Sequence, residues 1–178
     1  SKLLVLNKQN GEVCHKQFSN IVDYFKKGDV LVVNSTKVIP ARLIGTKESG
    51  AKIEIFLLSH VVNDTWRCLV KPGRKCPLGT TITVNDNFSG TIKDFGLEGS
   101  RLIEFKYEGN FWSALSEAGN IPLPPYIKRD AELADTSSYQ TIYAKFKGSV
   151  AAPTAGLHFT EQVFEDLRNK GVEIAEVL

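Results

Sequence analysis

The sequence predicts an α/β domain interrupted by an antiparallel β-rich insert, a barrel or a sandwich. Three observations carry that expectation. The continuous apolar run "VLVVN", residues 30 to 34, has the texture of a strand buried on both faces, as in an α/β layer. From about Ala41 the chain changes to short, turn-punctuated segments rich in β-branched residues, the spacing of an antiparallel barrel or sandwich of five or six strands. After Gly119 a proline-rich passage leads to an amphipathic helix and a last apolar strand, and the first texture returns. The expected divisions are therefore 1–40 for the first part of the α/β domain, 41–120 for the insert, and 121–178 for the return.

Taken in order, "KLLVLN" reads as a strand turned back through Asn10-Gly11, a favoured hairpin pair. "SNIVDYFKKGD" offers Ser19 as N-cap, Ile21, Val22 and Phe25 as an apolar stripe, and Gly28 as a stop, which predicts a helix. The insert is read from "KIEIFLLS", "TWRCLVK", "TTITV", "GTIKDF" and "RLIEFKY", with "LVKPGRKCPLGT" as a loop built on Pro72, Gly73, Pro77 and Gly79. Asn110 and Gly119 bound a short helix. Pro122, Pro124 and Pro125 then force an extended connection suited to a crossing between domains. A second helical piece falls near "AELADTSSYQTIYA", where the period is indistinct. The final helix has Thr160 as N-cap, Val163, Phe164 and Leu167 on one face, and Gly171 as terminator, and "VEIAEVL" starts another strand.

Composition narrows the function classes. At 42% hydrophobic and 24% charged residues the chain has ordinary globular usage, which argues against disorder, and its longest apolar runs are too short for membrane-spanning helices. A net charge of +2 argues for nucleic acid only if the cations are gathered on one face. Cys14, Cys68 and Cys76 lack CxxC spacing and histidine partners, so free thiols in a cytoplasmic setting are expected and no metal site is. The absence of any methionine, the initiator included, reads as a fragment of something longer.

No GxGxxG follows a strand, and "GRKCPLGT" lacks the spacing and lysine of a P-loop, so a Rossmann-type methyltransferase and a P-loop NTPase are disfavoured. "VVNSTKVIPARL" runs a buried-looking strand into Asn34, Ser35, Thr36 and Lys37, with Arg42 beyond. Ligands collect outside the carboxyl ends of such strands, although an Asx or Ser/Thr turn with two solvated cations accounts for the same residues. "TAGLHFTEQV" sets a glycine and His158 at a helix entry that can hold an anion and exchange a proton; a structural histidine is the plainer alternative. Lys71, Arg74 and Lys75 share one loop, and Lys128 and Arg129 follow Tyr126. Cations beside an aromatic ring suit phosphate contact and base stacking, as they also suit a solvated loop.

Five segments in this order resemble the S-adenosylmethionine:tRNA ribosyltransferase-isomerase family of queuosine biosynthesis: "SKLLVLN", "GDVLVVNSTKVIPARLIG", "GNIPLPPYIKR", "YQTIYAK" and "GSVAAPTAGLHFT". Together they span most of the chain. The family pattern near residues 34 to 37 is usually Asn-Asn-Thr-Arg, where this chain has Asn34-Ser35-Thr36-Lys37, so a bidentate arginine contact there is weakened. Family members are also much longer, with a C-terminal half that has no counterpart here.

The resemblance implies an α/β domain with a barrel-like insert. It also implies a reaction in which the ribosyl group of S-adenosylmethionine moves to 7-aminomethyl-7-deazaguanine in tRNA, giving epoxyqueuosine, adenine and methionine. The cosubstrate is then a sugar donor, and no metal is called for. His158 becomes the acid/base candidate; Asn34, Thr36, Arg42, Thr154, Gly156 and Phe159 become candidates for contacts to the cosubstrate or base; Lys71, Arg74, Lys75, Tyr126, Lys128 and Arg129 become candidates for touching tRNA. The competing expectation is a noncatalytic tRNA-binding module, which would bind with a steep salt dependence and leave S-adenosylmethionine intact.

Overall fold

The computed structural model describes residues 1–178 apart from Pro125, Lys128, Asp130, Ala131 and Leu133. It divides into two compact units, one of Ser1–Lys37, Ser137–Lys147 and Ala152–Leu178, the other of Val38–Thr136 and Gly148–Ala151. The chain crosses from the first unit to the second between Lys37 and Val38 and back between Thr136 and Ser137, with Gly148–Ala151 again in the second; the sequence reading places its divisions after residues 40 and 120.

In the first unit, β1 (Lys2–Leu6) and β2 (Val13–Gln17) pair antiparallel, with Gly11 at φ 73° in the turn between them. A side chain there would be strained, which explains the Asn-Gly choice. The expected helix from Ser19 is instead a 3-10 helix, Phe18–Tyr24. Asn20 Oδ1 accepts from Gln17 N at 3.1 Å, so the capping interaction starts two residues before Ser19 and closes a tighter turn.

Strand β3 (Val30–Asn34) pairs parallel with β13 (Glu173–Val177), and α3 (Glu161–Asn169) packs Val163 and Leu167 with Val172 against Ile21, Val22, Phe25, Leu31 and Phe159. Thr160 caps α3, accepting from Val163 N at 3.4 Å. The run "VLVVN" had been expected to be buried on both faces. Here Leu31 and Val33 face inward, while Val30 and Val32 are 51% and 59% exposed.

Between these halves come β4 (Thr36–Val38), β5 (Arg42–Lys47), β6 (Lys52–Val62), β7 (Thr65–Lys71), β8 (Thr81–Asn85), β9 (Phe88–Phe95), β10 (Arg101–Tyr107), α1 (Phe111–Ala118), β11 (Gly119–Asn120), α2 (Asp135–Ser138) and β12 (Phe146–Ser149). The sheet order β11-β5-β6-β7-β10-β9-β8 returns to β5 through β8, at Thr46↔Thr83 and Lys47↔Ile82, and closes a six-stranded antiparallel barrel. Five of its strands were read from the sequence; β5 is the addition.

Alternation builds the interior. Ile53, Ile55 and Leu57 of β6 point in, joined by Leu43, Cys68, Ile82, Ile92 and Ile103, all fully buried. The interior is tight at Gly90, where a Cβ would stand 2.7 Å from Ile103 Cγ2. Helix α1, capped by Asn110 Oδ1 on Trp112 N at 2.9 Å, adds Phe111 to this core, its ring stacked on Trp66 at 5.1 Å. Among the described residues no helix is long and apolar enough to cross a membrane.

Candidate functional site

The carboxyl end of β3 is organised by Asn34, whose Oδ1 accepts from Thr36 N at 2.8 Å and from the Thr36 hydroxyl. That is an Asx turn, the plainer of the two readings of this motif. It does not exhaust Asn34, since Nδ2 can still donate. Ser35, buried beneath it, donates N–H to Val177 O at 3.0 Å and accepts at its carbonyl from Lys145 N at 2.7 Å and Phe146 N at 3.2 Å. The end of the parallel pair is therefore tied to the segment that contains "YQTIYAK".

The same segment supports the glycine-histidine motif. Gly156 is buried, and a Cβ there would collide with Tyr143 Oη and stand 3.0 Å from Thr141 Cγ2, so only glycine fits against these two side chains. Burial pushes the Tyr143 phenol up and keeps it protonated at neutral pH. Its ring meets Phe164 edge-on at 5.5 Å, and Phe164 packs on Phe159, which continues to Phe18. Tyr143, Thr141 and Lys145 were not singled out in the sequence; "YQTIYAK" was the available signal, in a stretch whose period is indistinct.

Thr154–His158 is a separate 3-10 turn and not the first turn of α3, which begins at Glu161. The expected helix entry thus falls short of the histidine by three residues. Two turn amides are already used, Gly156 N on Pro153 O at 2.7 Å and Phe159 N on Gly156 O at 3.3 Å. His158 is exposed, its Nδ1 3.0 Å from Ser1 Oγ and its ring 5.3 Å from that of Phe18. Thr154 is exposed as well, and Phe159 half-buried. An imidazole held on one side by an aromatic ring and open on the other can exchange a proton with a bound molecule.

The structure thus links Asn34 and Thr36 to Gly156 and His158 through residues 141–146, all within the first unit. Arg42 belongs to the barrel unit, where its guanidinium pairs with Glu54 at 3.1 Å. A hollow of about 720 Å³ on the β1–β2 hairpin is lined by Lys2, His15, Lys16, Gln17 and Asn20, none of which the sequence pointed to. Among the described residues no three His, Cys, Asp or Glu side chains gather as a metal site would require.

The tRNA candidates are spread over the barrel unit. Lys71 ends β7, and Arg74 and Lys75 occupy the 3-10 turn Gly73–Lys75; all three are exposed. Tyr126 is 73% exposed. Lys128 lies outside the described residues. Arg129 is half-exposed and holds Asp135 in a bidentate pair, Nη1 to Oδ2 at 2.6 Å and Nη2 to Oδ1 at 2.8 Å. Together with the Glu132 amide it keeps the Asp135 carboxyl at about 2, well below the usual carboxylate range.

Comparison with known proteins adds a separate line of observation. A family model described as queuosine biosynthesis protein matches residues 1–178. The S-adenosylmethionine:tRNA ribosyltransferase-isomerase of Clostridioides difficile is 51% identical over 99% of this chain and 52% of its own length. The proteins of the same name from Fusobacterium nucleatum and Finegoldia magna are 46% and 50% identical over 99% and 98% of this chain, each at 50% of its own length. A solved structure, the S-adenosylmethionine tRNA ribosyltransferase of Thermotoga maritima, is 31% identical over 99% of this chain and 49% of that one, with a TM-score of 0.41. The chain spans about half the length of the curated relatives it matches.

Proposed function

The chain belongs to the queuosine biosynthesis protein family, and from that premise we propose that it forms part of a cytoplasmic tRNA-modifying transferase-isomerase. Its reaction moves the ribosyl group of S-adenosylmethionine to 7-aminomethyl-7-deazaguanine in tRNA, giving epoxyqueuosine with release of adenine and methionine. Three similar proteins, each named for a transfer between S-adenosylmethionine and tRNA, support the substrates. The observation that carries the location is the linkage of the Asn34–Thr36 turn to the Gly156–His158 turn through Thr141, Tyr143 and Lys145.

Each group has a task in this chemistry. His158 takes a proton, either from the aminomethyl ammonium or from the carbon beside the sulfonium, whose positive charge makes that carbon acidic. The Thr154–Phe159 backbone cradles the ribose, and Tyr143 against Gly156 fixes its shape. Asn34 contributes through Nδ2, because its oxygen is committed to the turn. Thr36 makes a further polar contact to cosubstrate or base, and Lys71, Arg74, Lys75, Tyr126 and Lys128 touch tRNA.

Adenine release, followed chromatographically in a polypeptide of the relatives' length supplied with S-adenosylmethionine and precursor-containing tRNA, tests this. General acid-base removal costs about 10²–10⁴-fold in rate, so His158→Ala should lose at least about a hundredfold. Wild-type rates in that variant would remove His158 from the chemistry. S-adenosylhomocysteine as product would point to methyl transfer, and tRNA binding without adenine release to a noncatalytic module.

A further inference from the structure

At one end of the barrel the cations are gathered more closely than sequence order shows. Lys47, the last residue of β5, donates from Nζ to Lys75 O at 2.9 Å, which ties it to the turn bearing Arg74 and Lys75. Arg101, the first residue of β10, approaches the same turn, since a Cβ built on Gly73 would stand 3.6 Å from its Nη2. Cys76 reports the same proximity: burial pushes its thiol up, and Lys47 and Arg101 both pull it back.

Arg101 is anchored through one end of its guanidinium and by a ring. Its Nη1 donates to Gly99 O at 2.8 Å and Ser100 O at 3.0 Å, and its guanidinium carbon lies 4.4 Å from the centre of the Phe95 ring. Phe95 remains 50% exposed. Asp94 and Glu98 are on the same hairpin, and Asp94 Oδ1 is engaged by Phe95 N at 2.8 Å. Lys47, Lys71, Arg74, Lys75 and Arg101 outnumber these carboxylates. An aromatic ring already stacked on a guanidinium, among lysines that act as point charges, is the combination that holds unpaired nucleic acid: bases stack on the ring and phosphates sit on the cations.

We propose that Lys47, Arg74, Lys75, Phe95 and Arg101 form a docking surface for an unpaired segment of RNA, with one base stacked on the open face of Phe95. The proposal rests on the tRNA reading above and deepens it, adding Lys47, Phe95 and Arg101 to the RNA contacts.

Fluorescence anisotropy of labelled unfractionated tRNA, titrated with the 178-residue chain over a range of KCl concentrations, separates the two kinds of contact. The Arg74→Ala/Lys75→Ala variant should reduce the log–log salt slope by about 1 to 2, because each phosphate contact on a single strand accounts for about 0.7. Phe95→Leu should weaken binding by about fivefold to a hundredfold at unchanged slope, the range expected for one stacked base, while Phe95→Tyr binds as wild type. Near-ultraviolet circular dichroism checks that each variant is folded.

No tRNA binding by the wild-type chain, or wild-type affinity and slope in the Arg74/Lys75 and Phe95→Leu variants, overturns the surface. An equal loss of polyphosphate binding in Phe95→Leu overturns the stacked base, since polyphosphate has none. Adenine release in a polypeptide of the relatives' length distinguishes the two levels. Release together with unchanged tRNA affinity in the variants removes the surface alone; no release removes the catalytic reading, and the anisotropy still judges the surface.

Discussion

Arg129 and Asp135 show how one buried carboxylate redirects a cation that sequence order offers to RNA. Asp135 is 4% exposed, and the guanidinium and the Glu132 amide are what make its charge tolerable there. Because its pKa is lowered on folding, the stabilisation is fully present above the ordinary carboxylate range and is lost as the pH falls through about 2. Carboxyl-carbon NMR of the folded chain should therefore show Asp135 titrating near 2. In Arg129→Gln its midpoint should rise toward or above the ordinary range, because burial then acts without a counter-charge. An unshifted midpoint in that variant would mean that Arg129 does not hold the carboxylate.

Among elements, five of the barrel's six strands were legible because inside-outside alternation is a local property, visible in "KIEIFLLS" and "TWRCLVK". Helices α1 and α3 were legible through Asn110 and Thr160, whose side chains do cap them. Closure was not legible. The β5–β8 pairing joins residues far apart in sequence, and neither a period nor a turn signal announces it.

The same limit applies to the candidate site. "NSTK" and "TAGLH" could be read as motifs, but Tyr143 under Gly156 and Lys145 on Ser35 are contacts made only by the folded chain. The mark that closure left in the sequence is Gly45, where a Cβ would stand 2.6 Å from Thr83 O and 2.7 Å from Ile82 Cγ2. The first of these is backbone, which no change of rotamer relieves. Gly45→Ala should therefore destabilise the barrel by about 1–3 kcal/mol, the usual range for overpacking, read as a lower urea midpoint in tryptophan fluorescence. An unchanged midpoint would show that β5 and β8 are not closed as tightly as this.

For the whole molecule, the two units differ in how completely this chain covers them. The barrel encloses its core on all sides, with Leu43, Ile55 and Ile103 fully buried. In the other unit Val163, Leu167 and Val172 form a small buried cluster, and the β3–β13 pair is packed on one face only, leaving Val30 and Val32 outward. Parallel strands are ordinarily covered on both faces, and a two-stranded sheet is marginal without such cover.

Amide hydrogen exchange followed by mass spectrometry should consequently find β3 and β13 exchanging far faster than β6 and β10 in the 178-residue chain, as parts of a less stable cooperative unit. Equal protection would show that α3 alone suffices to hold the parallel pair. The comparison extends to a polypeptide of the relatives' length, about twice that of this chain. If its additional residues cover Val30 and Val32, β3 should slow toward the barrel's rate while β6 and β10 stay as they were. Because Asn34 ends β3 and Ser35 anchors residues 145 and 146, that gain would steady the Asn34–Thr36 turn, and adenine release should appear in the longer polypeptide and not in this chain alone.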